Sequence, residues 1–293
     1  MDDSTPAPRC GRSSIGTRDR LLRRLAQQAP LVCGIVNATP DSFSDGGRYV
    51  DPAAAIDHGL ALIAQGADLL DIGGESTRPG ARPPSVAAEI ARIVPVIDAL
   101  AHSASIPISV DTSRPAVMRE AVAAGACFIN DVRALRFPGA LAAAAELNVP
   151  VCLVHMRGEP HTMQQSPEYV DVVAEVRDFL LCRVQVCLQA GIPREHIVLD
   201  PGFGFGKTLH HNLDLLANLD HIADMGLPVM AGLSRKGMIG AISGRDVEHR
   251  QIASAAPALI AALNGASLLR VHDVTETVDA LAVLRAVRTT ALR

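Results

Sequence analysis

Asp200 ends an apolar run, Ile197-Val198-Leu199, and opens directly into Pro201-Gly202-Phe203-Gly204-Phe205-Gly206-Lys207. A carboxylate at the end of a buried strand needs a partner or a ligand, because an unpaired buried charge costs several kcal/mol. Glycines alternating with Phe203 and Phe205 let the backbone approach something flat while the rings cover it. The same stretch nearly spells a phosphate loop. That pattern needs a glycine where this chain has Pro201, so the cradle of backbone N–H groups is not expected and Asp200 carries the chemistry.

Asp200 is one of a series. Asn37, Asp71, Asp111, Asn130, His155, Asp200 and Arg270 each follow a short apolar run, and His272 comes two residues after Arg270. The runs are Leu31 to Val36, Leu69-Leu70, Ile108 to Val110, Phe128-Ile129, Val151 to Val154, Ile197 to Leu199 and Leu268-Leu269, with Val229 to Leu233 before Ser234 as another. From Asn37 to Arg270 they recur about every 33 residues, the length of a strand, a crossover helix and two loops. Gln65-Gly66-Ala67, Ala124-Gly125-Ala126 and Asn264-Gly265-Ala266 read as glycine caps that end helices before the next strand. Eight such units predict a single-domain (β/α)8 TIM barrel, with a doubly wound open sheet as the alternative. In a barrel the polar series would ring one pocket at the carboxyl ends of the strands.

Composition agrees with an enzyme of small molecules. The chain has 293 residues, 48% hydrophobic and 20% charged, with a net charge of -4, which offers no general attraction to nucleic acid. Aromatics at 3% and the absence of Trp argue against stacking platforms for single strands. No apolar run approaches the roughly 20 residues of a membrane span. The six cysteines show no CxxC, and Cys33, Cys127 and Cys152 sit in apolar runs, as small buried hydrophobes of a reducing compartment do. Residues 1–30 read as an extension with a short basic helix from about Arg18 to Gln28 and no signal-peptide core, and residues 31–293 as the catalytic domain. A cytoplasmic location is expected.

The segments Asn37-Ala38-Thr39-Pro40-Asp41-Ser42-Phe43-Ser44-Asp45-Gly46-Gly47, Asp71-Ile72-Gly73-Gly74-Glu75-Ser76-Thr77-Arg78-Pro79-Gly80, Val110-Asp111-Thr112, Asn130-Asp131, Asp200 to Lys207, Ser234-Arg235-Lys236 and Arg270-Val271-His272 together resemble the dihydropteroate synthase family. The match runs in order from about Leu31 to Arg288. The resemblance implies a folate-pathway transferase joining (7,8-dihydropterin-6-yl)methyl diphosphate to 4-aminobenzoate, usually with Mg2+ and as a homodimer. It implies that Asp111, Asn130, Asp200 and Lys236 hold the pterin and that Asp111 and Asp200 stabilise a pterin-methylene cation. Asn37, Thr77, Arg270 and His272 would face the diphosphate, Asn37 as the metal ligand. Phe43, Thr77, Arg78, Pro79, Phe205 and Lys236 would form the aminobenzoate pocket, where sulfonamide-type mimics should compete.

Physical chemistry is consistent with those roles. A pterin edge presents N–H donors beside a carbonyl, which calls for carboxylate and amide acceptors plus a cation. Arginine's planar fork suits phosphate. Three departures stand out: Gly237 where a small hydroxyl residue is common, Pro257 after Ala253-Ser254-Ala255-Ala256, and a segment before Leu31 unlike the hairpin that usually closes the barrel base. The competing readings are a non-catalytic pterin-binding paralogue and a pterin-dependent methyltransferase. The first should have lost some of these residues, and the second should carry a corrinoid-binding segment absent here.

Overall fold

Short runs of β-branched and aliphatic residues form eight strands: β1 (Leu31–Asn37), β2 (Leu69–Gly73), β3 (Ile108–Asp111), β4 (Phe128–Asp131), β5 (Val151–Val154), β6 (Ile197–Asp200), β7 (Met230–Ala231) and β8 (Leu268–Val271). The structure is a computed structural model that describes residues 12–27, 29–39, 51–75, 83–158, 163 and 167–291. All strand pairs are parallel, in the order β6-β5-β4-β3-β2-β1-β8-β7. A bridge between Leu199 and Val229 joins the two ends, with the Leu199 N–H donating to the Pro228 carbonyl at 2.9 Å. The molecule is a (β/α)8 barrel.

The helices are α1 (Arg12–Leu25), α2 (Pro52–Ala64), α3 (Val86–Ser103), α4 (Pro115–Ala123), α5 (Ala140–Leu147), α6 (Val172–Gln189), α7 (Leu209–Ala217), α8 (Asp220–Ala223), α9 (Gly237–Ser243), α10 (Gln251–Leu263) and α11 (Val274–Ala291). Their starts are legible in side chains. Asp51, Ser85 and Asp171 each accept a backbone N–H of the first turn, and Thr208 makes a reciprocal capping box with His211. Gly66, Gly125 and Gly265 adopt φ of 100°, 119° and 96°, the left-handed region expected of the three glycine caps. Pro257 lies inside α10 rather than at its start, so the helix accommodates it by giving up one backbone hydrogen bond.

Alternation along each strand separates two cores. Outward residues such as Val36, Ile72, Val110, Ile129, Leu153 and Leu199 pack under the helices with Leu62, Ile97, Leu100, Met118 and Leu180. Inward residues Leu31, Cys33, Leu69, Phe128, Cys152, Val198, Met230 and Leu268 fill the barrel together with Leu21 and Leu25 from α1. The base is therefore closed by a helix. It begins earlier than the expected Arg18 and is tied down by Arg24 to Asp68 at 2.7 Å, Arg18 to the Asn148 carbonyl at 3.2 Å and Arg20 to the Ser105 carbonyl.

Several strand boundaries differ from expectation. β7 pairs over two residues only, shorter than Val229 to Leu233. Asp71, Asp111, Asn130, Asp200 and Arg270 lie within their strands rather than after them, because inward-facing polar positions belong to the barrel wall.

Candidate active site

Parallel register brings the polar inward positions together. Asp71 pairs in register with Ser109, Asp111 with Asn130, Val154 with Asp200 and Cys33 with Arg270. Asp71, only 1% exposed, is the hub. Its Oδ1 accepts the Ser109 hydroxyl at 2.5 Å, and its Oδ2 accepts Asn130 Nδ2 at 2.9 Å and Arg270 Nε at 2.6 Å. Arg270 Nη2 donates onward to Asp111 Oδ2 at 2.8 Å. Asn130 is thereby oriented, and its buried Oδ1 has no hydrogen-bond partner among the described residues. An orphaned buried acceptor costs roughly 1–3 kcal/mol, which an incoming N–H donor would recover.

The opposite wall carries Asp200 and Lys236. Asp200 Oδ1 accepts the Gly202 N–H at 2.6 Å, which turns the chain into the glycine–phenylalanine loop. That turn requires glycine: Gly202 has φ of 69°, and a Cβ there would lie 1.8 Å from the His155 carbonyl oxygen. Lys236 Nζ donates to the Phe203 carbonyl and lies 4.5 Å from the centre of the Phe205 ring. The cation thus closes a pocket whose other walls are acceptors.

Burial sets the titration of these groups. It raises Asp111 to about 7, opposed by Arg270 and reinforced by Asp71. It also raises Asp200, against the pull of Lys236 and the Gly202 N–H. Lys236 falls to about 8, because burial disfavours its charge more than Asp200 favours it. Arg270 is pushed up by its two carboxylates, which outweigh burial.

Loop feet are anchored from outside the barrel. Arg114 bridges Glu75 at 3.1 Å, the buried Glu89 at 3.1 Å and the Pro84 carbonyl at 2.7 Å, while Thr112, next to Asp111, donates to Glu89 at 2.6 Å. Of the expected site residues, Phe43, Thr77, Arg78 and Pro79 lie outside the described residues. Asn37 stands at the end of β1 in register with Gly73, itself paired with Asp111, and its side chain has no hydrogen-bond partner among the described residues. On the β7–β8 side, Ser234 Oγ accepts the His272 N–H at 3.1 Å and lies 3.1 Å from its Nδ1. Arg235 is used structurally, paired with Asp273. Gly237 opens α9, and a Cβ there would meet nothing within 4 Å.

The structure therefore brings Asp111, Asn130, Asp200, Lys236, Arg270 and Phe205 around one barrel mouth. Sequence reasoning put Asp71 in the polar ring but gave it no role, and it passed over Ser109. The available signal was parity: Asp71 shares its face with Leu69 and Gly73, so it had to point into the barrel although apolar residues flank it.

Comparison with known proteins bears on this site. Residues 33–272 match a family model described as "Pterin binding enzyme". The dihydropteroate synthase of Escherichia coli (strain K12) is 51% identical over 257 residues, covering 88% of this chain and 91% of that protein. A structure of Xanthomonas albilineans dihydropteroate synthase with 4-aminobenzoic acid superposes with a TM-score of 0.84 at 55% identity, covering 89% of this chain and 93% of the other. The same enzyme in complex with 7,8-dihydropteroate gives a TM-score of 0.82 at 52% identity, covering 89% and 94%. With half its positions shared over most of its length and the barrel in common, the chain belongs to the dihydropteroate synthase family of pterin-binding enzymes.

Proposed function

We propose that this barrel condenses (7,8-dihydropterin-6-yl)methyl diphosphate with 4-aminobenzoate, releasing diphosphate and forming 7,8-dihydropteroate. The observation that carries the reading is the acceptor set at the mouth: the partly buried Asp111, the buried Asp200 and the Asn130 Oδ1, unpartnered among the described residues, faced by the Lys236 ammonium. This complements a heterocycle that presents N–H donors and one carbonyl along its edge.

In the reaction the bond from the methylene carbon to the diphosphate oxygen breaks with its electron pair, and the resulting pterin-methylene cation is attacked by the aryl amine. The amine's proton leaves afterwards. Asp111 and Asp200 stabilise the developing positive charge by fixed, water-excluded carboxylates, so no strong nucleophile is needed from the protein. Arg270 and His272, together on β8 and its exit, are assigned to the phosphate arm, as is Thr77. Arg270 additionally holds Asp71 and Asp111 in position. Phe205 and Lys236 form one wall of the aminobenzoate pocket, and Phe43, Thr77, Arg78 and Pro79 are assigned to the rest.

Asn37 fits Mg2+ by donor chemistry. It offers a hard amide oxygen with no competing hydrogen bond among the described residues, and Mg2+ usually keeps several waters and takes few protein ligands. When bound with the substrate's phosphate oxygens, the ion would neutralise charge on the leaving group. Among the described residues no group of three or more His, Cys, Asp or Glu could hold a metal by itself, so this is a site that the substrate would complete.

A second copy of the chain is the proposed partner. Ile252, Leu263, Val283 and Val287 are exposed on α10 and α11, two helices packed side by side, and a dimer through them would cover this apolar surface. Sedimentation should give a dimer that Ile252→Glu with Val283→Glu converts to monomer. Among the described residues no helix is long and apolar enough to cross a membrane, and Cys33, Cys127, Cys152, Cys182 and Cys187 are free thiols, which supports a cytoplasmic setting.

The test is direct. Purified protein given pterin diphosphate, 4-aminobenzoate and Mg2+ should release diphosphate, and calorimetry should find pterin diphosphate binding weakened roughly 100-fold by Asp200→Asn and by Lys236→Ala. Background release only, or both variants within twofold of the parent, rejects the assignment. A sulfonamide mimic should raise the apparent KM for 4-aminobenzoate without lowering the maximal rate.

A further inference from the structure

Lys207 follows the glycine–phenylalanine loop and is 3% exposed, yet among the described residues no carboxylate lies within ion-pair distance of it. Its Nζ is instead 2.8 Å from His155 Nδ1, 2.9 Å from the Gly202 carbonyl and 3.1 Å from the Phe205 carbonyl. An ammonium has three hydrogens to give, and three acceptors receive them. The loop is folded around this nitrogen: Gly202, Gly204 and Gly206 have φ of 69°, 79° and 61°, conformations that L side chains rarely adopt. The Gly202 carbonyl also accepts the Phe205 N–H at 3.1 Å.

The front of the same loop makes the pocket. The Phe203 carbonyl receives Lys236, the Phe205 ring lies over the Lys236 ammonium and the Gly202 N–H holds Asp200. His155 is fixed in turn by packing, its ring 4.9 Å from Phe179 edge to face and 6.1 Å from Tyr169, and the Tyr169 hydroxyl donates to the Gly206 carbonyl at 2.9 Å.

We propose that Lys207 and His155 act as a positioning pair behind the active site, which fixes the 202–206 loop so that the Phe203 carbonyl and the Phe205 ring present Lys236 to the aminobenzoate pocket. Neither residue touches substrate. Two forms of the pair keep the same three contacts: an ammonium donating to an Nε2–H imidazole, or an amine that gives two hydrogens to the carbonyls and accepts the Nδ1–H of His155. Burial lowers the proton affinity of both groups. For Lys207, Lys236 adds repulsion and Asp200 attraction; for His155, Lys207, Arg136 and Arg157 repel the charge. The loop geometry is thus insulated from which of the two carries the proton.

The effect on catalysis rests on the proposed place of Phe205 and Lys236 at the aminobenzoate pocket; the effect on the loop does not. Hydrogen exchange of the peptide covering 201–207 in the ligand-free protein should speed up at least tenfold in Lys207→Met and in His155→Leu, and stay within threefold in His155→Asn, whose amide keeps a polar atom at the Nδ1 position. Aminobenzoate KM should rise at least fivefold in the first two variants with kcat within threefold. If Lys207→Met does not fold, the two His155 variants decide. Unchanged exchange in His155→Leu, equal acceleration in His155→Leu and His155→Asn, or faster exchange with an unmoved KM each overturn the proposal. Phe205→Ala separates the two ideas: an unchanged aminobenzoate KM there sinks the pocket assignment, while the exchange result still judges the pair.

Discussion

The two ends of one barrel interior are built from opposite materials. At the base Leu21, Leu25, Leu31, Phe128, Met230 and Leu268 are packed without a polar atom among their side chains. At the mouth the buried Asp71, Asn130 and Asp200 crowd together with the partly buried Asp111 and Arg270. Apolar packing contributes about 25 cal/mol per Å² of surface removed from water, whereas buried charges at best roughly offset their desolvation. The base therefore stabilises the fold and the mouth draws on that stability. Keeping Asp111 and Asp200 raised and Lys236 lowered is the energetic signature of a site whose groups wait for a ligand.

Asp71 is where the two regions meet, and its removal should have the largest effect. Asp71→Ala leaves Arg270 half-paired and Asn130 unanchored, so stability should fall by about 3–5 kcal/mol and kcat/KM by more than the Asp200→Asn variant loses. Denaturant unfolding and steady-state kinetics measure both; a loss in only one of them would break the picture of Asp71 as a shared support. Leu25→Ala at the base should cost about 2–4 kcal/mol while kcat/KM stays within twofold. A clear KM change there would mean that the base is coupled to the site.

The acid–base settings give an intermediate effect. Asp111 loses its carboxylate as pH falls through about 7, and Lys236 loses its ammonium as pH rises through about 8. kcat/KM for pterin diphosphate should therefore be bell-shaped with a narrow maximum between these limits, falling about tenfold per pH unit on either side. A flat profile from pH 6 to 9 would show that charge at the mouth does not govern binding. The smallest change is expected from Gly237→Ser, which enters open space and restores a hydroxyl at the start of α9. Aminobenzoate KM should drop about two- to tenfold, one hydrogen bond's worth, with melting temperature unmoved.

Much of this arrangement was legible in the chain because strands and cap glycines carry local signals. The polar residues after the apolar runs marked the mouth with one exception, His155, which shares the outward face of Val151 and Leu153 and packs on Phe179, and Gly66, Gly125 and Gly265 marked helix ends. Local signals could not reveal pairings. That Arg270 reaches Asp71 and Asp111 depends on β8 closing beside β1, and nothing near Arg270 encodes it. At the base the short basic helix was legible but its role was not: Leu21 and Leu25 look like any amphipathic pair until the barrel interior supplies their partner. The assignments of Phe43, Thr77, Arg78 and Pro79 rest on the family resemblance, as these four lie outside the described residues.

The seam between β6 and β7 is where the barrel is held together by the fewest strand pairs. β5 and β6 share four residue pairs, whereas β6 meets β7 at the single Leu199–Val229 bridge. Asp200 ends one of these strands and Lys236 follows the other. The two residues assigned to opposite ends of the pterin pocket thus flank the most sparsely paired joint of the cylinder. Parting it would break one rung, whereas the Asp71 side of the wall is held by five pairs to β1 and four to β3.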